Sequence, residues 1–428
     1  MTTRRRFVRG AVVTALGLAA DPLALVRAPR AHAATASPAP SPAPTYDLRY
    51  DARIVPTERV ARVTIEVARN NGLLDFLRMR IDPQRQFRFE GDGTIELEDE
   101  RVTWRPANGT SQLRYSVRLD HLHDSVGYDA RCTDKWALFR GEDLVPPISS
   151  ETRPGARSLA TLRLRVPVGW EIETRFPKRD DGTYSVDQAH RFLDRPTGWI
   201  LVGKLDVTRE RIVGTDVTIA GPAGQGLRRF DILAMLRWTL PTLAQIVGKL
   251  PPRLLIVGAN DPMWRGGLSG PESLFLHSAL PLISSDGTST LLHEVVHVAT
   301  NARSVEDGDW VVEGLAEYYA LQLLLRSGTI SEERYRTSLA RLEKRGRKAE
   351  RLRTARASGE VTARAVGVLA QLDDEIRANS DDRKSLDDVL RALASERIEL
   401  STESFRALVT QVTGVPRDRL PALNLAKA

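Results

Sequence analysis

The sequence predicts an α+β multidomain protein: an N-terminal antiparallel β-sandwich-like domain, a mixed central domain and a C-terminal helical domain. Three observations carry that expectation. From Tyr46 to about Leu205 apolar residues alternate with polar ones. Around Arg228 the apolar spacing lengthens to the three and four of a helix. After Ser331 the pattern stays helical to the end. A chain of 428 residues, 42% of them hydrophobic, is long enough for two or three cores.

The first 33 residues read as an address rather than as structure. Thr3-Arg4-Arg5-Arg6-Phe7-Val8-Arg9 matches the twin-arginine export pattern, and an Ala/Leu/Val-rich run follows from Gly10 to Val26. Asp21-Pro22 interrupts that run and makes it a poor permanent span. Ala31-His32-Ala33 supplies a cleavage site. The expectation is a twin-arginine signal peptide over 1–33, a periplasmic or secreted product, and no stable membrane span after cleavage. Removing 1–33 takes away six arginines and one aspartate, so the formal net charge falls from +7 to +2. Little basic excess is left to argue for nucleic acid. Cys132 is the sole cysteine and rules out an intramolecular disulfide. Residues 34–45, ATASPAPSPAPT, read as an extended Pro/Ala tether.

The β-rich domain is expected over 46–210. Val63, Ile65 and Val67 alternate with charged or polar neighbours, as do Leu113, Tyr115, Val117 and Leu119, and again Leu162, Leu164, Val166 and Val168. The central domain is expected over 211–330. There Phe230, Leu233, Leu236 and Leu240 form a helical stripe, and Leu254 to Val257 a short buried strand ended by Gly258. A helix is expected from about Trp310 to Arg326, capped by Asp309 and ended by Gly328. The helical domain, 331–428, contains a capping-box signal at Ser385-Leu386-Asp387-Asp388. Its first stretch, 331–358, carries ten Lys/Arg against four Glu and reads as a solvated helix face.

The chemistry concentrates at His293-Glu294-Val295-Val296-His297, inside an apolar-periodic run from Leu291 to Ala302. On a helix the two histidines lie one turn apart on one face and can bind one Zn2+ ion, with Glu294 beside them as a base toward water. A third ligand must come from elsewhere. Thr300 and Arg303 stand where a metzincin needs glycine and histidine. Sixteen residues after His297, Trp310-Val311-Val312-Glu313-Gly314 offers a glutamate on a following helix, with Glu317 one turn further on. Glu313 is assigned as the ligand and Glu317 as the carboxylate that orients a ligand imidazole. His277 reads as a core histidine.

The segments HEVVH and WVVEGLAEYY resemble the zinc signature of gluzincin aminopeptidases, more narrowly the glycyl-aminopeptidase-like group related to aminopeptidase N. Leu372 to Arg377 and Ser385 to Val389 are similar to that group's helical region. The stretches Tyr128 to Gly141 and Leu193 to Gly203 are similar to its β domain. The resemblance implies a thermolysin-like zinc catalytic domain, a peptide or protein substrate, and a substrate-binding strand at Gly266, Gly267, Leu268 and Ser269. It also implies a zinc peptidase of aminopeptidase type.

Three departures accompany the resemblance. Ser269 stands where the group carries a glutamate for the substrate's amino group, with Glu272 nearby. The group's oxyanion-stabilising tyrosine falls on Thr362, and no tyrosine follows Tyr335. The chain ends at Ala428 without room for the PDZ domain of many relatives. Arg364, Tyr318 and Tyr319 are the candidate replacements as oxyanion donor. The alternative reading is a catalytically impaired zinc-binding pseudo-peptidase that binds peptides or a partner.

Overall fold

The computed structural model of the protein describes residues 43–186, 193–354, 356–396 and 398–425. The segment expected to be a signal peptide, 1–33, and all but the last three residues of the expected tether lie outside them. The described residues from Ala43 onward form one compact unit. The mixed α+β class holds, with four substantial sheets followed by helices. Among the described residues no helix is long and apolar enough to cross a membrane.

The N-terminal half departs from a plain antiparallel sandwich. Thr45–Val55, which begins inside the expected tether, pairs antiparallel with Val60–Ala68 on one side. On the other it pairs parallel with Arg157–Arg165, which the chain reaches only after about a hundred residues of intervening strands. These strands belong to a six-stranded sheet. Its inward residues, among them Leu48, Ile65 and Leu113, share a core with Leu77, Met79 and Trp104 of a four-stranded sheet. The alternation read from Leu162 fails at Val168, which stands fully exposed beyond the strand's end at Arg165.

A five-stranded sheet forms the wall between the halves. In Trp136–Arg140, Ala137 and Phe139 face the N-terminal core while Trp136 and Leu138 face the central one. Trp199–Gly203 is divided the same way and is buried at every position. A sheet covered on both faces replaces polar alternation with an unbroken apolar run.

The central sheet runs Leu205–Ile212, Thr215–Pro222, Arg253–Val257, Ser273–Leu276, Gly267–Gly270. The first strand pairs along its whole length with the second, so a division at 210 would cut through it. The helix Arg229–Val247 links the parallel strands Thr215–Pro222 and Arg253–Val257 in a βαβ unit. Its core stripe is Ile232, Leu233, Leu236, Leu240 and Leu243; Phe230 is 70% exposed on the other face. Gly267–Gly270 pairs antiparallel with Ser273–Leu276 and forms the sheet's edge.

The helical region fixes the start of the Glu313-bearing helix, Asp309–Arg326. Arg303–Ser304 pairs with Glu399–Leu400, and Gly308 approaches Leu400 so closely that a Cβ there would meet its carbonyl oxygen at 1.8 Å. Buried Trp310 donates its indole N–H to Thr402 Oγ1 at 2.9 Å and packs edge-on against Phe405. Asp309 is not the cap expected of it. Its carboxylate accepts instead from Ser304 Oγ and from the Ala357 N–H. Gly328, at φ 73°, ends the helix as expected, and the Ser385 capping box forms.

Candidate metal centre

The motif lies on Thr290–Thr300, a helix rich in β-branched residues of modest intrinsic propensity. Tertiary contacts supply what propensity lacks. Leu291, Leu292, Val295 and Val296 are buried in the central core. The buried Ser289 side chain caps the helix by accepting from the Leu292 N–H at 3.3 Å, an interaction worth about 1 kcal/mol. Asn301 closes the other end in the left-handed conformation. The remaining face carries His293 and His297 toward the Asp309–Arg326 helix.

Three side chains from these two helices converge. His293 Nε2 and His297 Nε2 lie 3.0 Å apart. Glu313 reaches both, Oε2 at 3.2 Å from His293 Nε2 and Oε1 at 3.4 Å from His297 Nε2. These donor atoms all lie within 4.8 Å of one another. Behind them, Glu317 Oε2 is 2.9 Å from His293 Nδ1. A carboxylate there takes the Nδ1 proton as its partner and leaves the Nε2 lone pair aimed into the cluster. Two imidazole nitrogens and one carboxylate oxygen converging this way fit a zinc site with a position left open.

The electrostatics without an ion agree with that fit. Burial works against a charge on His293, but the hydrogen bonds it donates to Glu313 and Glu317 and the nearby Glu294 charge prevail and raise its pKa to about 10. Burial also pushes Glu313 up, and its contacts with His293 and His297 more than reverse this, holding it well below the usual carboxylate range. The cluster is thus built for positive charge and holds a proton where a cation would sit.

Glu294, only 6% exposed, faces the edge strand. A Cβ on Gly267 would meet Glu294 Cγ at 2.7 Å and Thr290 Cγ2 at 2.7 Å, so strand and helix touch because residue 267 has no side chain. Gly266 is similarly filled by the Trp264 indole, within 2.0 Å of its would-be Cβ. Leu268 offers its carbonyl to the Trp199 indole N–H at 2.9 Å, which ties the strand to the five-stranded wall. Ser269 sits partly exposed on the same strand. The Trp199 anchor was not anticipated: nothing in the sequence couples positions 69 residues apart.

Other expected residues are not brought to the cluster. The Tyr318 hydroxyl is buried and donates to Asp373 Oδ2 at 3.2 Å; that of Tyr319 donates to Asp387 Oδ1 at 3.0 Å. Both tie the Glu313 helix to the helices behind it, so the structure corrects their candidacy as oxyanion donors. Arg364 is corrected likewise, since its guanidinium donates to the Ala349 and Glu350 carbonyls at 2.9 and 3.2 Å. Glu272, at the edge hairpin's turn, pairs with Arg175 at 3.2 Å. His277 is fully buried in the core with Nε2 3.4 Å from Asp261 Oδ1, and desolvation lowers its pKa.

Residues 292–381, from the motif helix through the helix Glu360–Asn379, match the family model described as M61 glycyl aminopeptidase. The fold is similar to that of an aminopeptidase N family protein from Idiomarina loihiensis (TM-score 0.64, 17% identity, 81% of this chain and 70% of that one). It is also similar to an M1 zinc metallopeptidase from Deinococcus radiodurans (TM-score 0.56, 16% identity, 90% of this chain and 93% of that one). A mutant of an M1 zinc metallopeptidase from the same organism, bound to a Tyr-Ser-Ala substrate, matches at TM-score 0.57 and 16% identity, with the same shares covered. No curated protein matches the chain. The matched segment contains His293, Glu294, His297, Glu313 and Glu317.

Proposed function

We propose that this chain is an exported, zinc-dependent peptidase of aminopeptidase-like type. The observation that carries the reading is the convergence of His293, His297 and Glu313 from two helices, with Glu294 buried against the glycine edge strand. Relatives in fold that are zinc metallopeptidases, one of them holding a tripeptide, support it. Export rests on the arginine pattern of residues 3–9 alone.

His293, His297 and Glu313 would hold one zinc ion, and Glu317 would keep the His293 ring turned toward it. Bound there, zinc supplies a Lewis acid that polarises the scissile carbonyl and makes water a better nucleophile. Glu294 takes the proton from the attacking water and returns it to the leaving amine. The Gly267–Gly270 strand, at the sheet's edge, aligns an extended peptide by backbone pairing. The test is metal analysis with a mixed-peptide digest. One equivalent of zinc, with cleavage lost to a chelator and restored by zinc, is expected. A metal-free protein, or cleavage indifferent to chelation, would end the proposal.

A second reading, a zinc-holding binder without turnover, is favoured by the commitment of Tyr318, Tyr319 and Arg364 to structural partners. Stoichiometric zinc with no cleavage would select it.

The glycine contact yields a further expectation. Gly267→Ala forces either the strand or the Glu294 side chain to move. Displacing a reacting group by an ångström costs up to about a hundredfold in rate, so kcat should fall by that order with zinc content unchanged. An Ala variant as fast as the parent would show that strand and base need not touch.

A further inference from the structure

The basic stretch after Ser331 is a solvated face, as expected, and it is one with a fixed backbone. Lys344, Arg345, Arg347, Lys348, Arg351 and Arg356 are all exposed, and among the described residues they form no ion pair. They are also held in place. Leu352 is fully buried, and Arg364 braces the turn from beneath through the Ala349 and Glu350 carbonyls. Gly346 lets the turn sit directly on the next helix, where a Cβ would meet Arg364 Cα at 2.5 Å.

The ridge is tied at its end to the start of the helix that carries Glu313. The Ala357 N–H donates to Asp309 Oδ2 at 2.6 Å, and Arg353 pairs with Asp307 at 3.2 Å. Asp309 begins the helix that carries Glu313 four residues later. The end of the ridge is therefore bonded to a residue that lies one helical turn from Glu313.

We propose that this ridge docks acidic polypeptide, so that the site favours substrates carrying Asp or Glu a few residues from the bond that is cut. The inference rests on the peptidase reading above. An acidic peptide is favoured over other polyanions by what the ridge lacks. Tyr335 is the one aromatic residue between 331 and 358, and its hydroxyl is bound by Gln322, so there is no platform for bases to stack on. Of the leucines of the stretch, Leu342 and Leu352 are buried and Leu339 packs partly buried against the core, so none projects freely to enter a lipid surface.

The test uses the full chain and two fluorescent peptides that share one cleavable sequence and differ in three flanking Glu or Gln residues. At low ionic strength kcat/KM should favour the acidic peptide by about tenfold, mainly through KM. The preference should vanish near 1 M salt, where the screening length is about 3 Å. A variant carrying Arg347→Glu, Lys348→Glu and Arg351→Glu should lose or reverse it while cutting the Gln peptide at the parent rate. Equal cleavage of both peptides at low salt would overturn the docking proposal and leave the peptidase reading intact. If neither peptide is cut, peptidase activity fails. Anisotropy then decides docking alone: tighter binding of the acidic peptide, lost in the triple variant, supports it, and equal binding overturns it. Retention on anionic vesicles or an oligonucleotide that the triple variant loses, with peptides indifferent, would assign the ridge elsewhere and overturn it too.

Discussion

Glu294→Gln is expected to abolish peptide hydrolysis while leaving fold and zinc content unchanged. Glutamine keeps the volume of the glutamate, so the packing against Gly267 survives. What is lost is the capacity to accept a proton from water and deliver it to the departing amine. Losing a positioned general base costs about 10²–10⁴ in rate. The loss should fall on kcat, because Glu294 acts in the transition state and backbone pairing sets most of the ground-state affinity. His293, His297 and Glu313 make their mutual contacts without this carboxylate, so metal analysis should still return one equivalent of zinc. Unchanged turnover in the purified variant would sink the mechanism. Reduced turnover with zinc also lost would mean that residue 294 supports the cluster and not the chemistry.

The candidate site was legible in the sequence because its parts are local. H-E-x-x-H needs only a helix, and the apolar period from Leu291 supplied it. Glu313 and Glu317 are one turn apart on the next helix, so placing one against the cluster places the other against the back of His293. Gly266 and Gly267 were expected only as part of a substrate-binding strand; that Trp264 and Glu294 fill the space beside them leaves no local mark.

The parts that escaped were long-range. The Trp199 indole reaches Leu268 from another sheet, and Arg175 claims Glu272 across 97 residues. Tyr318 and Tyr319 follow the candidate ligand Glu313 so closely that a role at the cluster suggested itself. Their hydroxyls point to Asp373 and Asp387, on segments that only the fold brings near. In the β half the alternation identified strands but not their partners. A parallel pair between Thr45–Val55 and Arg157–Arg165 leaves no local mark, and a sheet buried on both faces erases the alternation itself.

Zinc affinity should separate the two carboxylates of the Asp309–Arg326 helix. Glu313→Ala removes one of three donors and should leave the protein without zinc and without activity. Glu317→Gln keeps the donors and removes only the charge that fixes the His293 ring, a change worth about 10–100-fold in zinc affinity. The proton on His293 adds a signature that mere misfolding would not reproduce. In the metal-free protein its pKa stands near 10 against an ordinary 6.5. Its contribution to stability is therefore complete below the ordinary value and is lost as pH rises through 10. Zinc must displace that proton, so apparent affinity should climb with pH across the same interval. Taking away the Glu317 charge lowers the His293 pKa and should move the climb to lower pH. Competition titrations with a chromogenic chelator across that range read both effects. Parallel pH profiles for parent and Glu317→Gln would show that Glu317 leaves the His293 proton where it was, and that any loss of affinity comes from the structure around the helix.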